Sequence, residues 1–298
     1  MEPFKYSYFQ LTFGQQETYH EPEKSYRRLK KYGYDAIELC PPKGRYGPGV
    51  SLDDFLKTHL RLKEKYDMQV SCLNECWGEM WDPFSPRYKT LTRPETADLA
   101  VSETGITVDL AAELKAPFVT VAVAIHDQVN AENVESCTRV AVDALRRMAE
   151  HAGEKGVRLV FEATNHLEMG KFVNTVANHK LLIEKTGTDH IGIQIDWFHA
   201  NFEELNPYEA VFDAGSLLWH LHFRDSNSLT PGYGTVDFKS VMRALKKINY
   251  TGFCTIESAP MIPDPDTAAR DGIQYLKLME RIAEYQLDPE FPNGYPIP

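Results

Sequence analysis

Val157-Arg158-Leu159-Val160-Phe161-Glu162-Ala163-Thr164 is a short apolar run that turns into a carboxylate near its end. Val, Leu and Phe in succession suit a strand covered on both faces, as in a parallel sheet. The same pattern recurs in both directions along the chain. We read strands at residues 4–11, 35–40, 69–74, 117–124, 157–164, 190–197, 218–224 and 252–258. Between them, residues 25–32, 52–66, 94–114, 134–152, 172–185, 238–248 and 267–285 mix apolar and charged positions at helical spacing. Gly33, Gly156, Gly187, Gly215 and Gly252 punctuate the joins. Eight strands alternating with helices over 298 residues predict a single-domain α/β (β/α)8, or TIM, barrel, at about 37 residues per unit. A doubly wound open sheet usually shows a glycine-rich phosphate fingerprint after its first strand. Here that position reads Gln10-Leu11-Thr12-Phe13-Gly14.

Composition narrows the function. The net charge is −11, from 32 basic and 43 acidic residues, which argues against a nucleic-acid partner. No apolar run approaches a membrane span, and the first residues lack the pattern of a secretory signal. Five scattered cysteines point to a reduced, cytoplasmic protein rather than a disulfide framework. The domain is expected to span 1–298, with an insertion after the third strand at about 75–93 and a tail at about 287–298. The insertion holds Trp77, Trp81, Phe84 and Tyr88, which would either line a pocket or pack as a cluster of their own.

Four residues carry the chemistry. Glu162, Asp196, His222 and Glu257 each fall at the end of one of four consecutive strands, 34, 26 and 35 residues apart. Side chains at strand carboxyl ends converge on the mouth of a barrel. One such Glu is an ordinary rim charge; four in phase are not. Three carboxylates and an imidazole gathered there would repel one another unless a cation lay between them. Oxygen donors with one nitrogen suit a divalent ion such as Mn²⁺ or Mg²⁺ better than a thiolate-seeking metal. His220, two before His222, shares its strand face and is expected to fill the interior one layer below. Asn165 and Asn174 read as loop hydrogen-bonders.

The stretches Phe161-Glu162-Ala163-Thr164-Asn165, Asp196-Trp197-Phe198-His199, His220-Leu221-His222-Phe223-Arg224-Asp225 and Thr255-Ile256-Glu257, with the Pro231-Gly232-Tyr233-Gly234 turn, resemble the xylose isomerase-like sugar isomerase/epimerase superfamily. The spacing is most similar to the ketose (tagatose/allulose) 3-epimerase group. The resemblance implies one divalent ion, Mn²⁺ foremost with Mg²⁺ or Co²⁺ as alternatives, held by Glu162, Asp196, His222 and Glu257. It implies that Glu162 and Glu257 are the acid/base pair, moving a proton alpha to a carbonyl through a metal-stabilised enediolate. It assigns substrate contacts to His199 and Glu168, and implies a small sugar or sugar derivative as ligand and a homo-oligomer, dimer or tetramer. The chain departs from the pattern in one place. Where the family carries an Arg six residues after the metal His, this chain has Ser228, and Arg224 is expected to replace that contact or to pair with an acid such as Asp225. His126 is placed to reach the mouth as a further substrate-binding residue or base. The alternative activity is a lyase on the same scaffold, a keto-inositol dehydratase or an enzyme cleaving 3-keto-glycosides or C-glycosides. A phosphodiesterase of the apurinic endonuclease type would need more histidines and a basic surface. A binding module that had lost its chemistry would not be expected to keep both Glu162 and Glu257.

Overall fold

The computed structural model describes residues 2–78, 84, 88–122 and 129–286. Eight parallel strands, β1 (Lys5–Tyr8), β2 (Ala36–Leu39), β3 (Gln69–Asn74), β4 (Phe118–Val121), β5 (Arg158–Ala163), β6 (Ile191–Asp196), β7 (Leu218–Phe223) and β8 (Phe253–Ile256), pair in the order β1-β8-β7-β6-β5-β4-β3-β2. The ends meet as well. Asp35 N–H donates to Tyr6 O at 2.9 Å, the Asp35 carboxylate accepts from Tyr6 N–H at 2.8 Å, and an isolated bridge joins Phe9 to Glu38. The expected (β/α)8 barrel is thus present, with all eight strands where the apolar runs lie.

The helices follow local signals. They are α1 (Pro22–Tyr32), α2 (Leu52–Tyr66), α3 (Pro94–Leu114), α4 (Val134–Glu154), α5 (His166–Met169), α6 (Val176–Thr186), α7 (Trp197–Glu203), α8 (Pro207–Ala214), α9 (Phe238–Lys247) and α10 (Pro265–Gln286). Ser51 caps α2 by accepting from Asp54 N–H at 3.0 Å, with Asp53 and Asp54 in the first turn. Pro94 opens α3, and Gly33 in the left-handed region (φ 82°) closes α1. The helix expected from residue 172 begins only at Val176, where Thr175 supplies the cap. The sequence reading missed α5, α7 and α8. All three are short and start at side-chain caps (Asn165, Asp196, Asn206) rather than at a long apolar repeat.

Two environments result. Between sheet and helices lies an aliphatic and aromatic layer that includes Leu221, Phe223, Trp197 and Phe238, all buried. Inside the barrel the filling is partly polar: Ser7 and Ser71 hydroxyls meet at 2.6 Å, and Glu38, Gln194, His220 and His222 are fully buried. Ladder register shifts between Ile37 and Glu38 and between Ile193 and Gln194, irregularities of the kind that re-aim side chains near active sites. Within the βα3 insertion, Trp77 is buried and donates to Thr104 Oγ1 at 2.9 Å, Tyr88 is buried, and Phe84 is exposed. Both buried rings belong to the main hydrophobic core rather than to a cluster of their own; Trp81 lies outside the described residues, as does the tail at 287–298. Among the described residues no helix is long and apolar enough to cross a membrane.

Candidate active site and metal centre

Strand ends β5 to β8 deliver Glu162, Asp196, His222 and Glu257 to one place. Glu162, Asp196 and His222 each offer a ligand atom, and the three atoms lie within 4.8 Å of one another. Glu257 Oε2 stands 2.8 Å from His222 Nδ1, and Glu162 Oε1 stands 3.6 Å from the same nitrogen. Asp196 also caps α7, accepting from Phe198 N–H at 2.8 Å, so the start of that helix fixes the carboxylate. A cavity of about 230 Å³ opens above, lined by Phe9, Asn74, Cys76, Glu162, His199, Arg224 and Glu257 among others. That is roughly eight water volumes, room for a small molecule.

The remaining expected residues fall at different distances from this centre. His199 is buried on the cavity wall; Asn165 Nδ2 donates to its Nδ1 at 2.6 Å, and its Nε2 is 3.9 Å from Asp196. Burial, with Arg224 nearby, pushes its pKa down to about 3, so it is neutral and able to donate from Nε2. Arg224 lies over the Phe198 ring at 4.6 Å and pairs with Asp196 and Glu257, each at 3.4 Å, rather than with Asp225. Its other amino group donates to Ser228 Oγ at 2.5 Å, and Ser228 passes the bond on to Ala259 O. The residue in the family's Arg position therefore holds a guanidinium that comes from the strand end. Glu168 is exposed on α5, 3.4 Å from Asn165 Nδ2, and does not line the cavity. Asn165 and Asn174 are loop hydrogen-bonders as expected: Asn165 caps α5, and Asn174 donates to Thr164 O and Gly170 O. His126 lies outside the described residues.

The carboxyls of the site sit in unequal electrostatic surroundings. Burial, reinforced by Asp196 and Glu257 against the pull of His222, pushes Glu162 up to about 8. Burial likewise raises Asp196 to about 6, with Glu257 adding to it and Arg224 opposing. Burial also works on Glu257, but Arg224 and His222 outweigh it and hold that carboxyl at about 2. Three carboxylates and an imidazole nitrogen thus converge, and for two of the carboxylates, Glu162 and Asp196, negative charge is costly. This donor set fits a hard or intermediate divalent cation, whose charge would favour all three ionised.

Two interior residues escaped the sequence reading. Glu38, on β2, accepts from His220 Nε2 at 2.8 Å and from His222 Nε2 at 3.0 and 3.1 Å. Gln194, two before Asp196 and so on the same face, donates from Nε2 to Glu162 Oε1 at 3.0 Å and lies 3.2 Å from His222 Nδ1. A signal existed for Glu38: a lone acid between Ile37 and Leu39 in a buried strand requires a partner. His220 sits one layer below His222, as its spacing predicts.

Comparison with known proteins agrees with the barrel. The chain is 31% identical over 139 residues to 3-dehydro-D-guloside 4-epimerase of Escherichia coli, covering 47% of this chain and 53% of that one. It is 32% identical over 148 residues to D-psicose 3-epimerase of Enterocloster bolteae, covering 50% of this chain and 48% of that one. These matches span about half the length of the relatives. Among solved structures, L-ribulose 3-epimerase superposes with a TM-score of 0.82 at 20% identity, covering 99% of this chain and all of that one. E. coli 3-keto-D-glucoside 4-epimerase superposes with a TM-score of 0.77 at 20% identity, covering 93% of this chain and all of that one, a likeness of fold. Residues 26–279 match the model of one family throughout, and the chain belongs to that family, the xylose isomerase-like TIM barrels.

Proposed function

We propose that the protein is a divalent-metal-dependent sugar epimerase that moves a proton on the carbon next to a carbonyl. The observation that carries this reading is the pair Glu162 and Glu257. They enter one small cavity from β5 and β8, on either side of the strands that bring Asp196 and His222. A divalent ion held by Glu162, Asp196, His222 and Glu257, with Mn²⁺ foremost and Mg²⁺ or Co²⁺ as alternatives, would polarise the substrate carbonyl and offset the charge that develops on its oxygen.

The chain's own residues supply the rest. A carboxylate on one side of the sugar takes the proton, and a carboxylic acid on the other returns one to the opposite face, which inverts the centre. The placement of Glu162 and Glu257 on either side of the strands that bring Asp196 and His222 supports such a division of labour. His199 would donate to a sugar oxygen from Nε2. Arg224, fixed by Ser228 and Phe198, would place positive charge beside that oxygen. Glu168 stands further out, where it would meet the distal hydroxyls of a bound sugar. The names of the sequence relatives favour epimerisation over the lyase alternative. The five cysteines form no disulfide among the described residues, which supports a reducing, cytoplasmic setting, and we propose a homo-oligomer by analogy with other barrels of this kind.

Deuterium uptake from D₂O into a keto sugar tests the reading. The protein as isolated with Mn²⁺ is expected to exchange the proton at the epimerised carbon. Glu257→Gln should keep the fold and lower exchange by about 10²–10⁴-fold. Undiminished exchange in a folded Glu257→Gln protein would remove Glu257 from the reaction.

A further inference from the structure

We propose that Glu38 is the positioning residue of the cation site: its carboxylate fixes a proton on Nε2 of His222, and so aims Nδ1 at the other candidate ligands, where a bound cation would take the place of its present contacts with Glu257 and Gln194. This rests on the metal reading above and extends it to a residue outside the four ligands.

The argument is geometric. Glu38 comes from β2, across the barrel from β7, at the point where the β2–β3 register shifts. It is fully buried, and Asn74 Nδ2 adds a long contact to Oε1 at 3.4 Å. An ionised carboxylate only accepts hydrogen bonds. Both imidazole Nε2 atoms that touch it must therefore donate. His220 agrees independently. Its Nδ1 is buried without a partner, so its proton belongs on Nε2, toward Glu38. With the Glu38 carboxylate anchored from below by His220, its two oxygens receive His222 Nε2 almost symmetrically. The Phe9 ring, stacked on His222 at 5.9 Å and 21°, restrains the imidazole from turning. What remains to His222 is Nδ1, which faces Glu162, Glu257 and Gln194. Metal-ligating histidines commonly owe their tautomer and orientation to such a carboxylate on the other nitrogen. Glu38, His220 and His222 also bring ligand atoms within 4.8 Å of one another, so a second cation is the rival reading of the same cluster.

Glu38→Gln discriminates. The amide keeps the shape but presents an NH₂ to one imidazole N–H, which favours the wrong tautomer of His222. Titration of the chelated full-length protein with Co²⁺, followed by visible absorption, should give one equivalent in the wild type. In Glu38→Gln the affinity should fall by about 10–100-fold, with circular dichroism unchanged. ¹⁵N NMR of the Zn²⁺-loaded wild type, assigned with His222→Gln, should show His222 protonated at Nε2 and bare at Nδ1. This second measurement decides the matter if Glu38→Gln does not fold. A folded Glu38→Gln protein that binds Co²⁺ as tightly as the wild type would overturn the proposal. So would a proton on Nδ1, or a second equivalent of Co²⁺ that disappears in Glu38→Gln. A wild type that binds no Co²⁺ would overturn the metal reading itself, and this one with it.

Discussion

His59 should make the fold acid-sensitive well above the carboxylate range. It lies in α2 with 1% of its surface exposed, accepts from Tyr26 OH at Nδ1 over 3.0 Å, and packs against Phe55 with ring centroids 4.4 Å apart. Burial pushes its pKa down to about 3, against about 6.5 in the unfolded chain. The group is therefore neutral when folded, and between these values the unfolded chain binds more protons. Stability due to this histidine is fully present above pH 6.5 and declines as pH falls, until the folded-state pKa is reached. At pH 5 the loss is about 2 kcal/mol, from 1.36 kcal/mol per pKa unit. The assay is urea denaturation at pH 7.5 and pH 5 for the wild type and His59→Phe. The variant loses the Tyr26 hydrogen bond at both pH values and starts less stable. Its drop between the two pH values should be smaller than the wild type's by about 2 kcal/mol. Equal drops would show that His59 is not held neutral by the fold, and the burial argument would be wrong.

Other consequences are simpler to state. Chelation of the protein should abolish deuterium exchange while leaving circular dichroism intact, and Mn²⁺ should restore it; full exchange by a preparation shown to be free of divalent metal would exclude the cation's role. Gly234→Ala should destabilise by about 1–3 kcal/mol, because an added Cβ would lie 2.3 Å from Asp225 Oδ1 and displace the carboxylate that accepts from Ser226, Gly232 and Val236 N–H. An unchanged melting temperature would mean that the loop accommodates the methyl at no cost. Lys246→Met should cost about 3–5 kcal/mol, since buried Lys246 joins Glu280, Glu284 and Glu2 O and ties the N-terminal strand to α9 and α10. Denaturation in urea reads this directly, and a loss below 1 kcal/mol would count the cluster as ornamental.

What the sequence made legible depended on how far each signal had to reach. Strands such as residues 157–164 declared themselves because burial on both faces selects Val, Leu and Phe locally. The strand at residues 69–74 has the bounds read for it, while most of the others were read one to three residues too long at one or both ends. The four ligand candidates were legible because strand ends in a barrel converge whatever lies between them. Glu38 was legible only as a buried acid in need of a partner, since the partners themselves lie 182 and 184 residues away. The helices α7 and α8 were hidden for the opposite reason. Their determinants are local, but they are caps rather than periods, and Asp196 looked like a ligand before it looked like a cap.

Arg224 shows how a departure from a family pattern can conserve physics while changing residues. An Arg at 228 would deliver positive charge from the loop after β7. Here the loop contributes a hydroxyl in the left-handed region (φ 66°), and the charge arrives from the strand end two residues after His222. Strand alternation places Arg224 on the same face as His222, so its guanidinium starts from the interior side of the sheet. Phe198, Ser228, Asp196 and Glu257 then meet it from four directions. Such a charge has less freedom than one on a loop, and it is paired with two of the groups that would hold the cation. Charge in this mouth is therefore shared rather than additive: under the proposed function, a cation held by Asp196 and Glu257 would weaken their pairing with Arg224 and leave its guanidinium, held at Ser228, to a bound sugar.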